Sequence, residues 1–323
     1  MKKLFISMLA VAALASCSQE DVIVADKGDL IGFNSFVENA TRADYSTTDI
    51  NTINVYGTVN NVLIYDHTPV TRPTTDKGQG YNAVWKCDVK QYWIDGASYK
   101  FIALVDVPKT DITAYDTYGM PTSFTYTADG VTDVLCDDYA TTGQKTGNGT
   151  VPFTFNHLLS KVNFTVVNGT PDAEGYSFEV KNIAFNGATK ATYDVVNKKW
   201  IDLTEKKATI LGNERKVPVN GVETTVKDIV VASKAASAEL DTEVLFLPGE
   251  YTISFTVDIL YGGKLVTTTN YPVSPATYTY TLAANNAYNF KVNVAVGQLI
   301  QFTVTKQPTW EDGDGDGDTT LTL

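Results

Sequence analysis

Hydrophobic and polar positions alternate with a period of two along much of this chain, and long stretches of helical spacing are missing. The pattern is clearest where Tyr251, Ile253, Phe255, Val257, Ile259 and Tyr261 fall on one strand face, against Thr252, Ser254, Thr256 and Asp258. Gly262-Gly263 then predicts a tight hairpin turn into a strand at Leu265-Val266-Thr267. Tyr288, Phe290, Val292, Val294 and Val296 repeat the alternation, and a further strand is expected from Leu299 to Val304. Strands with one wet face, separated by turns roughly every ten residues, predict antiparallel β-sandwich packing. A short helix from Val231 to Glu239 is the one local exception expected.

The first half alternates less cleanly. A strand-like run holds Ile53, Val55, Tyr56, Val59, Val62, Ile64 and Tyr65, followed by a turn-rich loop with Pro69, Pro73, Gly78 and Gly80. Later, Tyr99, Phe101, Ala103 and Val105 share one face while Ile102 and Leu104 share the other. Apolar residues on both faces predict a central strand covered on both sides. Residues 108–149 read as irregular, apart from a brief apolar stretch from Val131 to Cys136. A domain boundary is expected near Leu159, giving two β-domains over 43–158 and 159–311 and an acidic tail over 312–323.

The segment ahead of these domains has its own logic. Lys2 and Lys3 precede an apolar stretch, and the thirteen residues Leu4 to Ser16 fall short of the membrane-spanning length, which is about 20. Residues 1–17 therefore read as a secretory signal. Within 18–42, Ile31 and Phe33 lie on one face of a predicted strand. Arg42 sits in the polar stretch Asn39 to Asp44, a natural site for a trypsin-like protease to cut ahead of Ala43.

Composition narrows the function. With 43% apolar residues, 18 Tyr and 14 Phe, the chain can fill sizeable cores of the kind sheets favour. Its net charge of −12 argues against nucleic acid and anionic membranes as partners. Cys87 and Cys136 could pair outside the cytoplasm, but spacing alone does not decide whether they approach closely enough.

Catalytic chemistry is not visible. His67 and His157 stand ninety residues apart, and no zinc-protease, Cys-x-x-Cys, nucleophile-elbow or P-loop spacing occurs. Gly78-Gln79-Gly80 lies in a loop with no helix to follow, so it is no nucleotide-binding motif. His157, between Phe155 and Leu158, is expected to be a hydrogen-bonded junction residue. Trp85, Trp93, Trp200 and Trp310 are expected to pack in cores, with a sugar-stacking platform as the alternative. No enzyme activity and no organic cofactor are expected.

The tail places Asp312, Asp314 and Asp316 at alternate positions, as calcium loops do, yet lacks the glutamate such loops need twelve positions along. A flexible acidic linker is the favoured reading and calcium the alternative. Beyond it, Leu321 and Leu323 share a face of a β-prone terminus suited to pairing with another chain.

Several of these stretches together resemble a known family. Leu14-Ala15-Ser16-Cys17 resembles the lipobox of bacterial lipoproteins, and Ser18-Gln19-Glu20-Asp21 resembles the surface-export tag of Bacteroidota lipoproteins. With Leu30-Ile31-Gly32-Phe33, Thr41-Arg42-Ala43, Val84-Trp85 through Tyr92-Trp93, Tyr99 to Ala103, and Phe155 to Val162, their order resembles the fimbrillin-like proteins, subunits of lipoprotein-derived type V pili. The match runs through the first half; the second agrees in strand pattern only.

The resemblance implies an all-β chain of two tandem transthyretin-like antiparallel β-sandwich domains. It implies lipidation at Cys17, export as an outer-membrane lipoprotein precursor, and cleavage after an arginine, here Arg42, by an arginine-specific protease. Removal of the leader strand over 18–42 would open a groove for a neighbouring subunit's C-terminal strand, with Leu321 and Leu323 as this chain's donor candidates. Other pilin subunits are the implied partners, with host or bacterial surface ligands beside them, and the fimbrium is the implied location. Two other readings stand next to it. One is a surface lipoprotein that keeps its leader and binds glycan or host protein through loops such as 108–149. The other is an adhesin stabilised by calcium at Asp314 and Asp316.

Overall fold

The computed structural model describes residues 29–37, 50–72, 85–142, 149–170, 174–219, 222–272, 277–298, 300–307 and 318–322. The first half forms strands β1 (Gly32–Val37), β2 (Thr52–Val59), β3 (Val62–Thr71), β4 (Lys86–Cys87), β5 (Ser98–Val105), β6 (Ile112–Tyr115), β7 (Pro121–Thr127), β8 (Leu135–Thr142) and β9 (Thr150–His157). The second half continues with β10 (Ser160–Asn168), β11 (Tyr176–Asp194), β12 (Lys199–Leu211), β13 (Asn213–Val219), β14 (Val222–Val231), β15 (Ser237–Glu239), β16 (Val244–Phe246) and β17 (Gly249–Tyr261). It closes with β18 (Lys264–Tyr271), β19 (Tyr278–Leu282), β20 (Asn286–Val294), β21 (Gln301–Gln307) and β22 (Asp318–Thr322). Among the described residues there is no α-helix, only a 3-10 turn at Lys109–Asp111. The chain is all-β, and most of its pairings are antiparallel.

Three sheets share three cores. A seven-stranded sheet, in the order β1-β9-β8-β5-β2-β3-β4, wraps the cluster containing Ile31, Phe33, Tyr65, Trp93, Phe101 and Phe153. The sheet of β15-β10-β20-β21-β22 and the nine-stranded sheet built on β11 and β17 enclose the second cluster, which holds Phe164, Phe185, Phe255, Phe290 and Phe302. A third cluster joins the halves. It takes Ile102 and Leu104 from the outer face of β5, Phe124 and Tyr126 from β7, and Tyr193 from β11. As the alternation predicts, β5 is covered on both faces, with Phe101 in one cluster and Leu104 in another.

The hairpin expected at Gly262-Gly263 connects β17 to β18, and both glycines take the left-handed conformation that such a turn demands. Ile300, Phe302 and Val304 are buried in the second core.

Four expectations need correction. Residues 108–149 are not irregular, because β6, β7 and β8 lie there, and β7 pairs with β11 across the halves. Their Thr, Ser and Tyr residues suit exposed strand positions, which obscured Phe124 and Tyr126 as inward anchors. The run from Ile53 to Tyr65 is a hairpin, β2 to β3, turning at Asn60-Asn61 with φ of 46° and 67°. No helix forms over 231–239; β14 ends at Val231, Lys234 adopts a φ of 69°, and β15 pairs with β10. Finally, β1 runs parallel to β9 and β10 parallel to β20. No hairpin links either pair, so local sequence does not dictate their direction.

The stretch Phe155 to Val162 ties the cores together. Phe155 belongs to the first cluster, Leu158 and Leu159 to the third, and Val162 to the second. Three of its polar residues, His157, Ser160 and Lys161, are buried with partners. His157 Nδ1 lies 2.5 Å from Asp133 Oδ2, Ser160 donates to the Ala283 carbonyl at 2.8 Å, and Lys161 pairs with Glu243 at 3.1 Å. The expectation of His157 as a hydrogen-bonded junction residue holds. Burial pushes the Asp133 carboxyl upward, against the pull of the adjacent His157. Removing one member of such a pair strands the other in low dielectric. Asp133→Ala is therefore expected to lower unfolding free energy by about 3–5 kcal/mol in urea denaturation.

Candidate functional site

The site is the seat of β1 at the end of the seven-stranded sheet. Alternation turns Ile31 and Phe33 inward, and they are only 3% and 5% exposed, whereas Leu30 is 47% exposed. One flank of β1 pairs in parallel with β9, from Gly32 opposite Thr150 to Val37 opposite Phe155. The other flank meets the segment after β4. Ile31 N–H donates to the Gln91 carbonyl at 2.9 Å, and Trp93 N–H donates to the Asp29 carbonyl at 2.9 Å. Leu30 and Tyr92 thereby form an antiparallel bridge that brings the two ends of the sheet together.

Gly149 fixes the corner. Its carbonyl accepts both Gly32 N–H at 3.0 Å and the Trp93 indole N–H at 2.9 Å. The leader backbone and a core tryptophan thus share one acceptor.

The pocket for Phe33 is aromatic on three sides. Its ring centroid lies 5.3 Å from Tyr65 and 6.0 Å from Phe101, both edge-on, and 6.1 Å from Phe153, nearly parallel. A glycine makes this possible. Gly57 on β2 sits opposite Tyr65 on one side and Phe101 on the other, and a Cβ there would come within 2.8 Å of Phe101 and 2.9 Å of Tyr65. Both rings lean over the bare backbone and form the floor on which Phe33 rests. Burial of Ile31 and Phe33 is worth about 1.5–3 kcal/mol each, with a further ~0.5–1.5 kcal/mol for each well-placed aromatic pair.

The other predicted residues fall elsewhere. Leu321 is on β22, which pairs antiparallel with β21 of the same chain at the far end of another sheet, Leu321 opposite Phe302. Leu323, Cys17, Arg42, Ala43, Asp312, Asp314, Asp316 and Trp310 lie outside the described residues. Trp93 is buried, Trp85 packs against the first core and Trp200 against the third, so these three serve packing. Cys87 and Cys136 are free thiols, and burial pushes both above the usual thiol range.

Among the described residues no group of three or more His, Cys, Asp or Glu side chains is placed to hold a metal ion. A depression of about 520 Å³ over β17, lined by Asn182, Thr252, Ser254, Thr256 and Asn270 among others, contains no carboxylate, imidazole or thiol. Gly57, Trp93 and Gly149 were not singled out by sequence as parts of the site. A glycine inside an otherwise apolar strand, facing tyrosine and phenylalanine strands, was the available signal for the first.

These features define an all-β protein whose first sheet is completed by its own N-terminal strand. A family model described as fimbrillin-like matches residues 41–308, and the chain belongs to that family. Among solved structures, a fimbrial protein from Bacteroides vulgatus superposes with a TM-score of 0.59 at 14% identity, covering 86% of this chain and 99% of that one. A provisionally designated cell adhesion protein from Bacteroides ovatus gives 0.51 at 13% identity, over 89% and 99% of the two chains. At such identities the likeness establishes the fold. Comparison with the curated proteins gives no match.

Two substitutions test the pocket in the intact chain. Phe33→Ala is expected to cost about 3–5 kcal/mol in urea unfolding, while Leu30→Ala stays within roughly 0.5 kcal/mol of the parent. Gly57→Ala, which pushes Tyr65 and Phe101 off the floor, is expected to cost about 1–3 kcal/mol.

Proposed function

We propose that this protein is a structural and adhesive subunit of a cell-surface fimbrium, exported as a lipoprotein and switched to assembly by cleavage after Arg42. Membership of the fimbrillin-like family supports the fimbrial role. The observation that carries the switch is the burial of Ile31 and Phe33 at a sheet end, on a strand that reaches the body only through the segment containing Arg42.

The thermodynamics follow from connectivity. While the chain is intact, β1 is held at high effective concentration beside its own groove and excludes any competitor. Cutting after Arg42 turns the same strand into a separate ligand, tied to the membrane through lipid on Cys17. Its contacts are unchanged, but once it leaves, dilution keeps it away. A strand from a neighbouring subunit can then add to β9 and fill the vacated pockets by β-strand addition. This subunit would in turn give up its C-terminal strand, with Leu321 and Leu323 as the apolar residues offered onward.

Blocking the cut tests it. Arg42→Ala is expected to stay a lipid-anchored monomer, whereas the parent runs as ladders resistant to sodium dodecyl sulfate and begins at Ala43 when sheared from cells. Ladders from the Arg42→Ala protein would overturn the proteolytic switch.

A further inference from the structure

We infer that Arg215 is a second cleavage site for the arginine-specific processing protease, closed while the nine-stranded sheet is formed and open when it is not, so that the enzyme that releases the leader also cuts misfolded subunits in two. The inference rests on the reading of Arg42 as the processing site and concerns what the same enzyme does to the rest of the chain.

Arginine occurs at three positions, Arg42, Arg72 and Arg215. A protease of this class takes its substrate as an extended segment along its cleft and draws the arginine side chain into a pocket, so backbone and guanidinium must both be available. Arg72 offers neither. It follows β3, whose Thr71 is paired with Thr52 on one flank and Lys86 on the other. Its N–H donates to the Asn51 carbonyl at 2.9 Å, the residue is 3% exposed, and its guanidinium lies 5.8 Å from the centre of the Trp85 ring. Pro73 comes next, so the bond after Arg72 is a tertiary amide with a fixed φ beyond it. That obstacle persists when the chain unfolds.

Arg215 is withheld in a different way. Its side chain is 39% exposed, so burial does not protect it. Pairing does. β13 is matched to β14 along its whole length, from Asn213 opposite Asp228 to Val219 opposite Val222, with Arg215 opposite Val226. Nε of Arg215 donates to both carboxylate oxygens of Asp228, at 2.7 and 2.9 Å, and Nη2 donates to Glu179 at 3.1 Å. These partners belong to β14 and β11, so one guanidinium ties three strands together. Drawing it into a protease pocket would strip the cation from two carboxylates, one of them on the buried Asp228. All of these restraints vanish together when the sheet is not formed, and the residue that follows is Lys216 rather than proline.

Hydrolysis there adds the hydroxyl of water to the Arg215 carbonyl carbon and its hydrogen to the Lys216 nitrogen as the peptide bond breaks. The two pieces divide the second core, with Phe164 and Phe185 on one and Phe255, Phe290 and Phe302 on the other, so neither piece can build it alone.

The test incubates the full chain with an arginine-specific protease in buffer and in urea across its unfolding transition. New N-termini are sequenced, and rates are normalised to cleavage of an unstructured arginine peptide at the same urea concentration. In buffer the product is expected to begin at Ala43, and chains beginning at Lys216 are expected to form on the order of a hundredfold or more faster once the protein unfolds. Arg215→Lys, which keeps a cation opposite Asp228, is expected to lose the second product and keep the first. Chains beginning at Lys216 that form in buffer within tenfold of the urea rate would overturn closure of the site by the sheet. Their absence from unfolded protein would overturn the site itself, and a product beginning at Pro73 would overturn the sparing of Arg72. Absence of the Ala43 product in buffer, with Lys216 chains still formed in urea, would overturn the reading of Arg42 and leave the fold-dependent site standing.

Discussion

The first sheet cannot complete its closure from residues 50–157 alone. Between β9 and the segment after β4 there is a gap one strand wide, and the backbone of residues 29–37 fills it. Hydrogen bonds on both flanks, donated to the carbonyls of Gln91 on one side and Gly149 on the other, make β1 a shared strand rather than an appendage. Phe33 is what gives that seat its depth. Tyr65, Phe101 and Phe153 converge on one ring, and they converge because Gly57 leaves room for two of them to tilt. Without the ring, a cavity would open at the centre of the first core, and its lining would lose contacts with no compensating collapse.

The same sheet is anchored on its outer side. β5 faces the first core with Phe101 and the third with Leu104, so the third cluster is built on the back of the sheet that holds β1. β7 crosses to pair with β11, and the Phe155 to Val162 stretch threads all three clusters. The body is thereby braced at the junction by packing and by buried polar pairs, His157 with Asp133 and Lys161 with Glu243. Under the proposed strand replacement, a body held this way would keep the shape of the vacated seat while one strand is changed for another.

Much of this was legible in the chain, and the illegible parts share a cause. Period-two alternation located β17, β20 and both faces of β5, because burial there is decided by local pleat and little else. It also put Ile31 and Phe33 on one face. Alternation says nothing about strand direction, so the parallel pairings of β1 with β9 and β10 with β20 had no signal. It also fails where strands are rich in threonine and tyrosine, as in β6 and β7, whose inward residues are few and spaced irregularly. The stretch from Val231 to Glu239 misled because its four alanines favour helix, whereas pairing of β15 on β10 decides its shape. Aromatic convergence on Phe33 joins four separate strands, β1, β3, β5 and β9, and no window along the chain contains them together.

Both described ends of the chain lie at sheet ends, and this constrains how copies could associate. β1 ends the seven-stranded sheet and β22 ends the sheet of β10, β20 and β21. An exposed strand edge is a template for unplanned pairing, and β22 presents such an edge as the last strand of its sheet. β22 pairs on β21, whereas β1 is hydrogen-bonded on both flanks, to β9 and to the segment after β4. Under the proposed function, vacating the β1 seat would expose an apolar pocket lined by Tyr65, Phe101 and Phe153 that water cannot satisfy. That seat would have to be refilled, and an assembly driven by refilling would draw its stability from the N-terminal groove.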